Sequence, residues 1–272
     1  IFQDWLARHY PLRAERVITP AHADYAEWKP LRARLDADWR ESFTERHLMR
    51  QSEIAPGRMF TAMFLHGDSG HLIGNMVFLV ILGLAVEPVM GSVGFLVLYL
   101  LAGLGGGLFS LGWRWGEVGG MLGASGAIAG LMGAFAVLWG QRRVRLFYWF
   151  FVIFDYTRVR ALWLLPVWFG WEFVQLLMAP DAGVGFDAHA GGILSGAALA
   201  FAATKLGRVN RAYLDEEDIR DQRVDELAAG LAELGKLQLG AARTRFDALV
   251  QRYPDDPDVI EPWLRSWLFA KD

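Results

Sequence analysis

From about Leu72 to Phe201 the chain is a series of long apolar runs with few polar breaks, and both ends are charged. Helices of a soluble core pair an apolar stripe with a polar face; these runs have no polar face. A bilayer core about 30 Å thick needs roughly 20 mostly apolar residues per helix. The pattern predicts five spans, at about 72–90, 93–112, 121–140, 161–179 and 188–206. Segment 146–154, Leu-Phe-Tyr-Trp-Phe-Phe-Val-Ile-Phe, is too short to cross. Arg142, Arg143 and Arg145 before it and Arg158 and Arg160 after it place it in the membrane interface. The predicted fold class is therefore all-α, a polytopic transmembrane helical bundle.

The polar flanks carry helical periods of their own. Tyr25, Trp28, Leu31, Leu35, Trp39 and Phe43 recur close to every 3.6 residues, with Pro30 near the start. They predict an amphipathic helix packed on the outer surface of the membrane domain. In 223–253, Val224, Leu227, Leu231 and Leu234 line one helix and Ala242, Phe246 and Leu249 the next, with Pro254 closing the pair. Three regions result: an outer segment 1–56, a membrane domain 57–206, and a linker with helical hairpin 207–272.

Composition narrows the function classes. The net charge of −3 and the lack of a phosphate-cradling Gly-Lys-Ser/Thr loop argue against nucleic acid or nucleotide as a partner. The sequence has no cysteine, which removes disulfides and thiol catalysis. Basic residues in short connections set orientation. The 140–160 connection holds five arginines, and Lys205, Arg208 and Arg211 follow the last span. The 180–187 connection has no Lys or Arg and the 113–120 connection only Arg114. The arginine link and the C-terminus are expected in the cytoplasm, and residues 1–65 outside. Ile1 is not an initiating residue, so a further span is expected before it. The expected location is a bacterial inner (plasma) membrane.

Polar groups inside spans are costly and need a reason. His71 and Asn75 open the first span, Ser125 the third and His189 the fifth. All three spans run from outside to inside, so three distant segments bring polar groups to one depth. His71 and Asn75 are four apart and share a helix face. Gly126, Gly130 and Gly133 line the serine helix; Gly192 and Gly196 lie on the face of His189. Such stripes let helices approach closely, and if the two meet, Ser125 and His189 sit side by side. A serine hydroxyl is a weak nucleophile without an adjacent base, and His189 is the candidate base. The Asn75 amide, a His71 N–H and the Ser125 backbone N–H are candidate donors to an oxyanion. No carboxylate is placed by spacing as a third member, so the expectation is a dyad, with Asp187 read as a loop carboxylate. Glu172, inside a span, is expected to face the bundle or an outer cavity.

The motifs His66-x-x-x-x-His71-x-x-x-Asn75, Gly123-x-Ser125-Gly126 and Ala188-His189-x-x-Gly192-x-x-x-Gly196 resemble the signatures of rhomboid intramembrane proteases. Gly83-x-x-x-Glu87-x-x-x-Gly91-Ser92 resembles a fourth, structural motif, and Arg58 stands where the family often has Trp-Arg, here with Gly57 for the tryptophan. The likeness covers roughly 57–205. It implies a six-span core whose first span is missing from this chain, and hydrolysis of transmembrane protein substrates near their membrane boundary. It implies Ser125 as nucleophile, His189 as base, and His71, Asn75 and the Ser125 amide as oxyanion hole. His66, Gly123, Gly126, Gly192 and Gly196 would support them. The span 161–179, with Trp168 and Trp171, would be the lateral gate. Ala129 stands where some members carry an aromatic that stacks on the catalytic histidine. No metal or other cofactor is implied. Gly230, Ala242, Phe246 and Pro254 weakly resemble tetratricopeptide spacing. A single such unit buries its face poorly, so either more chain follows Asp272 or the hairpin docks on something, a protein partner among the choices.

Two other readings fit parts of the pattern. One is a non-catalytic relative that binds transmembrane helices, though such relatives typically lack the serine or the histidine. The other is a metal-dependent hydrolase or transporter using His66, His71 and His189. The His-Glu-x-x-His of zinc proteases is absent.

Overall fold

In the computed structural model the described residues are 20–268, except 22, 118, 151, 152 and 179–182. Ten helices and two short hairpin-like pairings are found among them. Ile1–Phe2, the expected end of a preceding span, lie outside the described residues, as does Asp272.

The outer segment forms α1 (Tyr25–Glu41), α2 (Phe43–His47), strand β1 (Met49–Arg50) and α3 (Pro56–Ala62). Helix α1 appears where its period predicts it. Along this face Tyr25, Trp28 and Leu35 are half-buried and Leu31 is exposed; the side chain of Trp39 lies outside the described set. The chain breaks at Ser42, whose hydroxyl accepts from the Glu45 N–H as an N-cap.

The first two predicted spans are one helical segment, α4 (Ser69–Trp113), broken at Gly91. Gly91 adopts φ 71°, a conformation that costs glycine little. The Ser92 hydroxyl, donating to Glu87 at 2.7 Å, closes the break. Each half, 69–90 and 92–113, rises about 33 Å, enough to cross a bilayer core. The halves present Ile81, Leu84, Val93 and Leu96 outward, as lipid contact requires. The third span is shorter than predicted: α5 is Ser125–Trp139, because Gly120–Met121 form strand β2, paired antiparallel with β1. At about 22 Å, α5 is shorter than the thickness of a bilayer core. Helices α6 (Ala161–Met178) and α7 (Phe186–Lys205) complete the membrane part.

The 140–160 connection departs most from an all-α expectation. It is an antiparallel hairpin, β3 (Arg143–Phe150) with β4 (Ile153–Arg160), in the register Arg143↔Arg160 to Phe150↔Ile153. A short aromatic and β-branched run satisfies its backbone groups by pairing with itself. It remains too short to span.

The core lies between α4, α5 and α7. Val86, Leu98, Leu131, Ala134 and Ala200 are fully buried or nearly so, and Leu214 joins them from the next helix. Along the α5–α7 contact, a Cβ at Gly192 would collide with the Gly126 carbonyl oxygen, and one at Gly196 with that of Gly130. The two glycine stripes face each other, as their spacing predicts.

The C-terminal hairpin is present and extended: α8 (Arg211–Gly235), α9 (Leu239–Arg252) and α10 (Pro257–Leu268) enclose Ala242, Phe246, Leu249 and Val259. Gly230 meets the Phe246 ring, where a side chain would clash. Arg145 and Arg158 of the β-hairpin pair with Asp225 of α8, and Arg142 pairs with Asp215.

Candidate active site

Ser125 is the first residue of α5, so its N–H and those of the next residues have no partner within the helix. His189 lies in the first turn of α7. The glycine contact sets the two helix starts side by side, and the His189 Nε2 is 2.8 Å from the Ser125 Oγ. Both side chains are partly buried, at the edge of a cavity of about 870 Å³ that His71, Asn75, Glu172 and Gly123 also line.

A carboxylate lies at the opposite edge of the imidazole. The Glu172 Oε2 is 3.0 Å from the His189 Nδ1, with the two side chains 20% and 16% exposed. The carboxylate accepts from Nδ1–H, which leaves the Nε2 lone pair for the serine. Glu172 does face a cavity, as expected, but it arrives from α6, where spacing gives no clue to register against α7. The one available signal was energetic: a carboxylate within an apolar span requires a partner. In place of a stacking ring at Ala129, the Phe186 ring meets His189 edge-on at 6.2 Å.

Across the cavity, the Gly67 N–H donates to the His71 Nδ1 at 3.4 Å, so Nε2 carries that ring's proton. A Cβ at Gly123, whose φ is 131°, would sit 3.0 Å from this Nε2 and 3.6 Å from the Ser125 Oγ. Glycine there leaves the space between the two groups open. Asn75 is buried, lines the same cavity, and its Nδ2 has no partner among the described residues. An unpaired buried amide costs free energy unless a ligand takes it up. His66 stands back from the cluster, its ring 5.2 Å edge-on to that of His71. Burial lowers the His66 pKa, the nearby His71 adds to this, and a bond to the Phe64 backbone opposes it. Gly126, Gly192 and Gly196 bring the helices together, as described above.

Asp187 is not a loop carboxylate. It is fully buried in the first turn of α7, accepting from the Ser110 hydroxyl and from the Arg114 Nε at 3.1 Å. The Gln51 Nε2 donates to Ser110 at 3.0 Å, and the Gly123 N–H to the Ala62 carbonyl at 2.9 Å. These bonds tie the outer segment, the end of α4 and the start of α7 around the cavity. No sequence signal marks Gln51 and Asp187 as a network, because their shared partner, Ser110, lies 59 and 77 residues away from them.

A helical bundle that has, among the described residues, three helices long and apolar enough to cross a membrane, with a serine, a histidine and an unpaired amide lining one cavity, defines a polytopic membrane protein with a buried polar site. The description "Rhomboid domain" matches residues 55–206, more than half of the chain. The chain belongs to the rhomboid family, whose members are intramembrane proteases or their inactive homologues. No curated protein matches it.

Proposed function

We propose that this protein is an intramembrane serine protease acting on transmembrane proteins. The observation that carries the reading is the 2.8 Å contact between His189 Nε2 and Ser125 Oγ. Substrate would unfold locally into the cavity, placing its scissile carbonyl over Ser125. Oγ attacks the carbonyl carbon while its proton passes to Nε2. The oxyanion is taken up by the Ser125 N–H, the His71 Nε2–H and the Asn75 amide, whose unpaired Nδ2 supports this role. Collapse breaks the C–N bond, and the proton on Nε2 leaves with the amine. Water then attacks the acyl-enzyme by the same route and frees the acid and Ser125.

The short α5 supports a site below the membrane surface, and the loosely packed α6, with Trp163 and Trp171 exposed, supports a lateral entrance there. The test is a fluorophosphonate probe on purified protein, with the labelled residue mapped, alongside cleavage of one transmembrane substrate. Ser125 should label, and Ser125→Ala and His189→Ala should fall to background. Asn75→Ala should lose about 10²–10³ in rate, as for one oxyanion donor in soluble serine proteases. A folded protein that neither labels nor cleaves would be a helix-binding relative instead.

A further inference from the structure

Glu172 is the ionisable group within α6 (Ala161–Met178), whose other residues are apolar apart from Gln175. Its carboxylate is four-fifths buried and lies against His189 on the side away from Ser125. We infer that Glu172 is a positioning residue for the catalytic histidine, so that the working unit is Ser125–His189–Glu172 rather than a pair. The inference rests on the serine-protease reading above.

Three observations lead to it. The Oε2–Nδ1 distance of 3.0 Å and the Nε2–Oγ distance of 2.8 Å place the imidazole between the carboxylate and the hydroxyl, each nitrogen serving one. A carboxylate on Nδ1 fixes the tautomer in which Nε2 is free to accept a proton, and it stabilises the imidazolium that forms when it does. Finally, no ring is found stacked flat on His189 among the described residues: Ala129 offers no ring and Phe186 meets the imidazole edge-on at 87°. Without Glu172 the ring could rotate away from Oγ.

Of the carboxylates that line the cavity among the described residues, Glu172 is the one bonded to His189. Helix α5 brings Ser125 and no ionisable residue. Helix α4 brings His71, whose backbone N–H donates to Asp68, and Arg114 just after α4 is held by Asp187. Glu117 lines the cavity from the loop after α4. Because α6 supplies the carboxylate, the histidine is fully held only while α6 is seated against α7. The position of the entrance helix thereby enters the chemistry.

The experiment compares Glu172→Gln, Glu172→Asp and Glu172→Ala with wild-type protein, using cleavage of one transmembrane substrate, fluorophosphonate acylation rate and melting in detergent. Glutamine fills the same space without the charge, so a packing role would leave it near wild type. The expected result is a kcat for Glu172→Gln down by about ten- to a hundredfold, with KM and melting little changed and acylation slowed in parallel. Glu172→Asp, one methylene short, should recover part of that loss, and Glu172→Ala should not. Wild-type kcat in Glu172→Gln would overturn the inference, as would losses that track melting or KM alone. Failure of the wild-type protein to cleave or label would instead overturn the protease reading, and the inference with it.

Discussion

Asp187 illustrates how much a single buried group constrains the site two residues from it. Its carboxylate has no exposure and is held by Ser110 and Arg114, with Gln51 behind them. Removing one member of a buried charged pair strands the other, at a cost of about 3–5 kcal/mol. Asp187→Ala should therefore lower the melting temperature sharply and loosen the start of α7, where His189 sits. Arg114→Met should cost at least as much, since it leaves the fully buried Asp187 carboxylate with Ser110 alone as donor, whereas Asp187→Ala strands an Arg114 that is 22% exposed. Thermal unfolding in detergent, with fluorophosphonate labelling of the protein that stays folded, measures both. Equal melting of wild type and Asp187→Ala would mean that the network holds nothing.

At the scale of elements, the contact between α5 and α7 decides whether the site exists. Gly196 and Gly130 touch backbone to backbone, so a Cβ at Gly196 has nowhere to go unless the helices separate. Overpacking of a rigid contact costs about 1–3 kcal/mol, and backbone cannot rotate aside as a side chain can. Gly196→Ala should lower melting and slow cleavage together, because separation lengthens the Ser125–His189 contact at the top of the same interface. Gly235→Ala, where a Cβ would meet nothing, is the control. Unchanged cleavage in Gly196→Ala would show that the interface tolerates separation. These elements also show what a sequence displays. The spans, the break at Gly91 and the meeting of the glycine stripes follow from runs of apolar residues and from small residues four apart, which are local patterns. The β3–β4 hairpin was hidden because a nine-residue aromatic run has no period that separates strand from interfacial helix. Glu172 and the Asp187 network were hidden for another reason: both are contacts between elements distant in sequence, and no local pattern encodes a register between helices.

For the whole molecule, charge and geometry together argue for one orientation, which is a proposal about the cell rather than the fold. The site gathers at the start of α5 and of α7, and the Arg142–Arg160 hairpin joins the end of α5 to the start of α6. The Asn210 N–H bonds the Val89 carbonyl at 2.8 Å, so the break in α4 and the start of α8 share the hairpin's end. Arginines and the C-terminal helices therefore lie at one end of the bundle and the Ser125–His189 cluster at the other. Basic residues in short connections stay in the cytoplasm, which puts the site at the outer side and α8 to α10 inside. The sequence has no cysteine, so one introduced thiol is a unique probe. Thr44, exposed in α2, and Gln238, exposed in the turn between α8 and α9, interrupt no buried contact. In intact cells, Thr44→Cys should react with a membrane-impermeant maleimide, and Gln238→Cys should react only after the membrane is opened. Reaction of both without opening would break the link between the arginine hairpin and the cytoplasm. Reaction of Gln238→Cys alone would invert the protein and turn its site toward the cytoplasm, where its substrates would have to present their cytoplasmic boundaries.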